Sequence, residues 1–181
     1  MPAIVKIGLT GLPSAGKTQT LIRIIEMLEA EGKTVGGLIT EPIIQKNQRM
    51  GFYVVDWATK KKKRFAHISI KSHIMVGKYG VDINALDTVG VAAIRNAYMN
   101  NNVVVIDEVG KMEVESEKFI AAVKDALDAD KTCILTLHKK SRNPLLQDIR
   151  RRDDIRILEV TPVNRNLLPY KVIKLLKGEM L

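Results

Sequence analysis

Gly11-Leu12-Pro13-Ser14-Ala15-Gly16-Lys17-Thr18 is a Gly-x-x-x-x-Gly-Lys-Thr string, and it restricts the possible folds more than any other stretch of the chain. An apolar, β-prone run over residues 4–10 leads into it, and an amphipathic segment follows at once. Strand, loop and helix in that order make a phosphate-binding P-loop. Gly11 and Gly16 allow backbone angles and close approaches that a side chain would block. The amides of Leu12, Ser14, Ala15 and their neighbours, with the helix N-terminus behind them, can then face a polyphosphate together. Lys17 is expected to meet the β- and γ-phosphates, and the Thr18 hydroxyl to sit on Mg²⁺. A bound nucleoside triphosphate is the expectation.

The pattern beyond the loop is that of alternating strands and helices. Leu21, Ile24, Ile25 and Leu28 recur at helix spacing, and Gly32 is placed to end that helix. Residues 34–40 read as a second core strand, in which Gly36-Gly37 marks a weak spot or a close backbone approach. Residues 52–57 and 64–68 are β-prone runs joined through Lys60 to Lys63, which predicts a β-hairpin with a basic turn packed onto the main sheet. Residues 76–82 read as a Gly-punctuated loop before a helix over about 84–99, with Ala85, Val89, Ala92, Ala93 and Ala97 on its apolar face. Val103-Val104-Val105-Ile106 is a continuous apolar run of the kind buried on both faces of a parallel sheet. A helix over 116–127, a strand over 131–137, a short helix from Pro144, a strand over 155–160 and a helix from Pro169 complete the order. Such alternation argues a mostly parallel sheet covered on both faces, with the site at the strands' C-terminal ends. At 181 residues, one domain spanning 1–181 is expected.

Asp107-Glu108 directly follows the buried run, so Asp107 falls at a strand tip where a carboxylate can hold Mg²⁺. Glu108, one residue on, is placed to orient an attacking water or take its proton. The alternative, a strand that merely ends in solvent, loses ground because a P-loop lies upstream in the same chain. The nucleotide-contacting stretch is expected to run through Val105, Ile106, Asp107, Glu108, Val109, Gly110, Lys111 and Met112. Lys111 could neutralise charge as it builds on the γ-phosphate, or could be a surface lysine. Thr136 and His138 fall where a polar residue can sense that phosphate, although an exposed, capped histidine is the preferred reading of His138. His67 and His73 lack metal-ligand spacing and read as structural.

Composition narrows the classes further. The balance of 29 Lys+Arg against 20 Asp+Glu favours polyanions in general without choosing among them. Only 4% of residues are aromatic, which leaves few platforms for stacking nucleic-acid bases. The single cysteine, Cys133, lies in an apolar run and reads as a buried small hydrophobe. No apolar run approaches a membrane span of ~18 residues, and no signal-like segment opens the chain, so a cytoplasmic location is expected; the oligomeric state stays open, with a monomer favoured.

The motifs resemble one family in order along nearly the whole chain, the small THEP-type nucleoside-triphosphatases. The matching pieces are the P-loop, Gly37-Leu38-Ile39-Thr40-Glu41, Arg49-Met50-Gly51-Phe52, Val76-Gly77-Lys78-Tyr79-Gly80-Val81 and Asp107-Glu108-Val109-Gly110-Lys111-Met112-Glu113. Thr136-Leu137-His138-Lys139-Lys140 and Asn164-Arg165 follow, and the Asp-Glu-x-Gly-Lys-Met-Glu string is the most specific part. The resemblance implies an α/β, RecA-like P-loop NTPase fold: a three-layer sandwich whose mostly parallel sheet carries an added antiparallel β-hairpin. It also implies Mg²⁺-dependent hydrolysis of nucleoside triphosphates, with broad base tolerance and slow turnover. Ser14-Ala15 departs from the usual Gly-containing pair within the loop, but both residues are small enough for phosphate to bind. Lys17, Glu108 and Lys111 are then the candidate catalytic residues, with Thr18 and Asp107 the metal ligands. Two other readings stay open. A nucleotide or nucleoside kinase would use Arg142, Arg150, Arg151 and Arg152 as a lid, and a nucleic-acid-binding module would use the basic turn. Asn164 and Arg165 are the weak candidates for base recognition.

Overall fold

The computed structural model describes residues 5–179. Ile4, expected to begin the first strand, lies outside the described residues. The strand itself, β1, runs Lys6–Gly11 and leads through the loop into α1 (Lys17–Ala30). Next come β2 (Val35–Gln45), β3 (Gln48–Asp56), β4 (Lys62–His67), β5 (Met75–Val76) and β6 (Tyr79–Val81). A short α2 (Ile83–Ala85) passes through a π-helical stretch, Leu86–Val91, into α3 (Ala92–Asn100). Then β7 (Val103–Val109), α4 (Glu117–Asp128), β8 (Thr132–His138), α5 (Pro144–Arg151), β9 (Ile155–Glu159) and α6 (Leu168–Leu176) follow.

The nine strands of the described residues form one sheet, in the order β5-β6-β4-β3-β2-β7-β8-β1-β9. The five strands from β2 to β9 in that order are parallel. Successive side chains of a strand point to opposite faces, and β7 shows why its run is continuously apolar. Val104 and Ile106 pack into the core beneath α3, α4 and α5, while Val103 and Val105 pack beneath α1 and α6. Each face needs its own apolar set, so the strand has no polar side. The result is a helix–sheet–helix sandwich, as expected.

The antiparallel wing differs from the expectation. The hairpin of β3 and β4 does not pack onto the sheet; it extends the sheet's edge. Residues 35–38 of β2 pair with β7, and from Leu38 onward β2 continues past Pro42 to pair antiparallel with β3. A tight turn at Lys46-Asn47, both with positive φ, joins β2 to β3. Residues 76–82 are likewise not a loop, because β5 and β6 form a second small hairpin around Gly77-Lys78. The basic turn keeps only part of its charge free: Lys62 pairs with Glu41 at 3.5 Å and the Lys60 ammonium sits 3.1 Å over the Trp57 ring.

Gly37 is the close backbone approach anticipated from sequence. Its φ is +125°, and a Cβ there would stand 2.0 Å from the Val105 carbonyl oxygen. The helix over 84–99 has the expected place, and Ala85, Val89, Ala93 and Ala97 of its expected face are buried. Its π-helical turn carries an extra residue, so Leu86, Gly90 and Ile94 turn inward while Ala92 is exposed. Cys133 is buried, and desolvation pushes its thiol up to about 11.

Candidate active site

Two positive-φ residues curl the loop after β1. Ser14 has φ 68° and Gly16 has φ 100°, a left-handed angle that glycine adopts at no steric cost. Helix α1 starts immediately afterwards, and no side chain caps its first amides. Those orphan N–H groups face the open end of the sheet, where an anion can satisfy them. Lys17 turns back across the loop, and its Nζ donates to the Gly11 carbonyl at 2.7 Å.

β7 delivers the acidic half. Strand β8 lies between β7 and β1, so Asp107 reaches the loop across one intervening strand. The Thr18 hydroxyl donates to Asp107 Oδ2 at 2.9 Å, and the Thr136 hydroxyl, from β8, donates to Oδ1 at 2.6 Å. Glu108 Oε2 stands 3.5 Å from Lys17 Nζ. The register of β7 on β8 slips between Ile106 and Val109, and the Asp107–Glu108 peptide is cis. Asp107 is only 1% exposed. Burial pushes its carboxyl up from 3.8 to about 6, the Thr136 hydrogen bond opposes this, and the nearby Glu108 charge adds to it.

A cleft of about 810 Å³ opens over this cluster. Leu12, Pro13, Ser14, Gly16, Lys17, Thr18, Asp107, Glu108, Lys111 and Met112 line it. The other expected contacts do not. Val105, Ile106 and Val109 are spent on the two hydrophobic cores, and Gly11, Ala15 and Gly110 are buried behind the cleft wall. Thr136 is fully buried, so it braces Asp107 instead of sensing a phosphate. His138 is half-buried on the cleft wall rather than exposed, and its removal from water lowers its pKa.

The proposed arginine lid does not form from Arg150 and Arg152. Arg150 is tied to the carbonyls of His138, Lys139 and Ser141, which fixes the loop after β8. Arg152 is held by Asp154 and Asp128. Asn164 caps its own turn through Thr161 and the Glu159 carbonyl, leaving only Arg165 of that pair on the cleft. Sequence reasoning missed Glu113 as a site residue. It is 6% exposed, lines the cleft, and burial raises its carboxyl well above the ordinary range, with the Glu108 charge adding to the shift. Its place in the Asp-Glu-x-Gly-Lys-Met-Glu string was the one signal that could have found it.

The donor set suits Mg²⁺. A hydroxyl and a carboxylate, both hard oxygen donors, meet at 2.9 Å on the cleft wall, and Mg²⁺ in nucleotide sites takes one or two protein oxygens together with phosphates and waters. Thr136 holds that carboxylate in place from behind. Replacing it as Thr136→Val keeps the shape but removes the donor. Half-saturating Mg²⁺ should then rise about tenfold, read from phosphate release against Mg²⁺ concentration; an unchanged curve would show the hydroxyl to be idle.

Comparison with known proteins agrees with the geometry. The model of the family described as NTPase matches residues 6–173. The chain is 38% identical over 176 residues to the nucleoside-triphosphatase THEP1 of Picrophilus torridus, covering 97% of this chain and 98% of that one. The crystal structure of THEP1 from the hyperthermophile Aquifex aeolicus superposes with a TM-score of 0.85 at 31% identity, over 96% of this chain and 99% of that one. The solution structure of a human cancer-related nucleoside triphosphatase gives a TM-score of 0.82 at 30% identity, over 98% and 100% of the two chains.

Proposed function

The chain belongs to the NTPase family of THEP1-type nucleoside-triphosphatases, and on that footing we propose that it hydrolyses nucleoside triphosphates to the diphosphate and phosphate with Mg²⁺. The observation that carries this reading is the convergence of Lys17 and Thr18 from α1 with Asp107 and Glu108 from β7 onto one cleft. The triphosphate tail lies along the loop amides and the first turn of α1. Lys17 exchanges the Gly11 carbonyl for phosphate oxygens, which also releases Glu108 from its ion pair. Freed, Glu108 orients a water and takes its proton as the water oxygen bonds to the γ-phosphorus. The bond from that phosphorus to the β–γ bridging oxygen breaks, and its electron pair leaves with the diphosphate. Lys111, on the cleft rim, faces the charge that builds on the transferred group. Thr18 and Asp107 would hold Mg²⁺, which would supply charge neutralisation at the phosphate oxygens. Little else is needed, because phosphoryl transfer rests on positioning and charge.

Broad base tolerance is part of the reading. Arg165 packs beside Gly16 and, among the described residues, has no carboxylate partner. A guanidinium plane stacks on any base without reading its edge. No helix among the described residues is long and apolar enough to cross a membrane, and we place a slow, one-domain, monomeric enzyme in the cytoplasm. Phosphate release from ATP, GTP, CTP and UTP, with and without Mg²⁺, tests the proposal. All four should be hydrolysed and all should depend on the metal; no release in the presence of Mg²⁺ would end it.

A further inference from the structure

The cleft is larger than a triphosphate tail requires, and the surplus lies in one direction. At about 810 Å³ it approaches the upper end of the range for small-molecule sites, roughly 300–1,000 Å³. Beyond Glu108, away from β1, it continues into the antiparallel wing. Thr40 and Pro42 from β2, Arg49 and Phe52 from β3, Phe65 from β4 and Tyr79 from β6 line that end. The γ-phosphate belongs beside Glu108 and the nucleoside leaves past Gly16 toward Arg165, so the donor does not fill the wing.

The wing chamber has its own chemistry. The Phe52 and Tyr79 rings meet edge to face, with centroids 5.6 Å apart. The Tyr79 hydroxyl donates to the Arg49 carbonyl at 3.3 Å, bracing the wall. The Arg49 guanidinium lies over the Phe52 ring, 5.4 Å from its centroid, and has no carboxylate partner among the described residues. An aromatic wall with an unneutralised guanidinium, open to the γ-phosphate position, suits a flat ring that carries an anion. Guanidinium forks match phosphate oxygens in particular.

We propose that the wing chamber is a second-substrate site for a nucleoside monophosphate, whose phosphate takes the γ-phosphoryl group in place of water. The proposal rests on the reading that places the γ-phosphate beside Glu108. An oxygen of the monophosphate dianion bonds to the γ-phosphorus, and the bond to the β–γ bridging oxygen breaks. The electron pair leaves with the donor diphosphate, so a triphosphate and a monophosphate become two diphosphates. The attacking oxygen carries no proton, so this transfer needs no base, whereas attack by water does.

That difference separates the proposal from the hydrolytic reading. The full-length protein is incubated with ATP, Mg²⁺ and guanosine, cytidine or uridine monophosphate in turn, and products are resolved by chromatography. The expected result is a diphosphate bearing the base of the added monophosphate, formed by the unchanged protein and also by Glu108→Gln, whose hydrolysis is lost. Arg49→Ala should lower the ratio of transfer to hydrolysis about 10- to 100-fold, a ratio that a poorly folded fraction does not alter. No new diphosphate from any monophosphate, while ATP is still hydrolysed, overturns the proposal and leaves the hydrolytic site standing. Phosphorylation of the free nucleosides in preference to the monophosphates overturns it too, because the anion is then not what the chamber selects.

Discussion

Glu108→Gln is expected to lower phosphate release by about 10²- to 10⁴-fold, the usual contribution of a positioned general base, while nucleotide still binds. The side chain keeps its length and its contact with the cleft but can no longer accept the proton that water gives up. Binding rests instead on the loop amides, Lys17 and the Thr18–Asp107 pair, none of which changes. Affinity should stay level or tighten, since Lys17, 3.5 Å from Glu108, loses the carboxylate that competes with phosphate for it. Lys17→Ala provides the contrast, because removal of the point charge in the cradle should cost affinity and turnover together. Titration of a fluorescent nucleotide analogue alongside phosphate release reads both. Undiminished release from Glu108→Gln would show that another group handles the proton.

Asp107→Asn should stop metal-dependent turnover and yet make the metal-free protein more stable. Burial raises this carboxyl from 3.8 to about 6 in the folded chain. The folded state therefore holds a proton that the unfolded state has already released. The stability tied to Asp107 is fully present below its unfolded value and is lost as pH rises through about 6. At pH 7.5 the ionised carboxylate costs about 3 kcal/mol, a penalty that a bound cation offsets. Asparagine removes the charge and keeps an oxygen for the Thr136 hydroxyl, and its amide can donate to Thr18. Without metal, the variant should melt roughly 5–10 °C above the unchanged protein at pH 7.5, and the gap should shrink to about a third near pH 4.5. Glu113, also raised by burial, leaves a residual slope of the same sign in both proteins. Thermal unfolding at the two pH values measures the gap. Equal melting temperatures at pH 7.5 would mean that Asp107 carries no such penalty.

Parts of this arrangement are local and so readable. A P-loop depends on glycine at positions a side chain cannot occupy and on a helix starting at Lys17, all within eight residues. The β7 run is apolar without interruption because both its faces are covered, and Asp107 directly follows that run by simple counting. The face of α1 follows from spacing alone. Other parts rest on partners distant in the chain. β2, expected over residues 34–40, extends to Gln45. It runs on because the wing offers β3 as a partner at an edge where proline's missing N–H is tolerated. The hairpins at Lys46-Asn47 and Gly77-Lys78 lack the Asn-Gly or Asp-Gly pair that marks such turns most clearly.

The same division runs through the site. Sequence alone determined that a phosphate cradle exists, that a buried strand delivers two carboxylates toward it, and which side chains are chemically able to hold phosphate and metal. Each of those facts is set within one turn or one strand, where residue type and spacing suffice. Tertiary structure alone decided that Thr136 braces Asp107 instead of meeting phosphate, that Val105 and Ile106 serve the core, and that Arg150 is tied down. It also decided that the antiparallel wing carries the cleft past Glu108. Those outcomes depend on which strand lies beside which and on how deeply a group is withdrawn from water, and neither is encoded in spacing along a single segment.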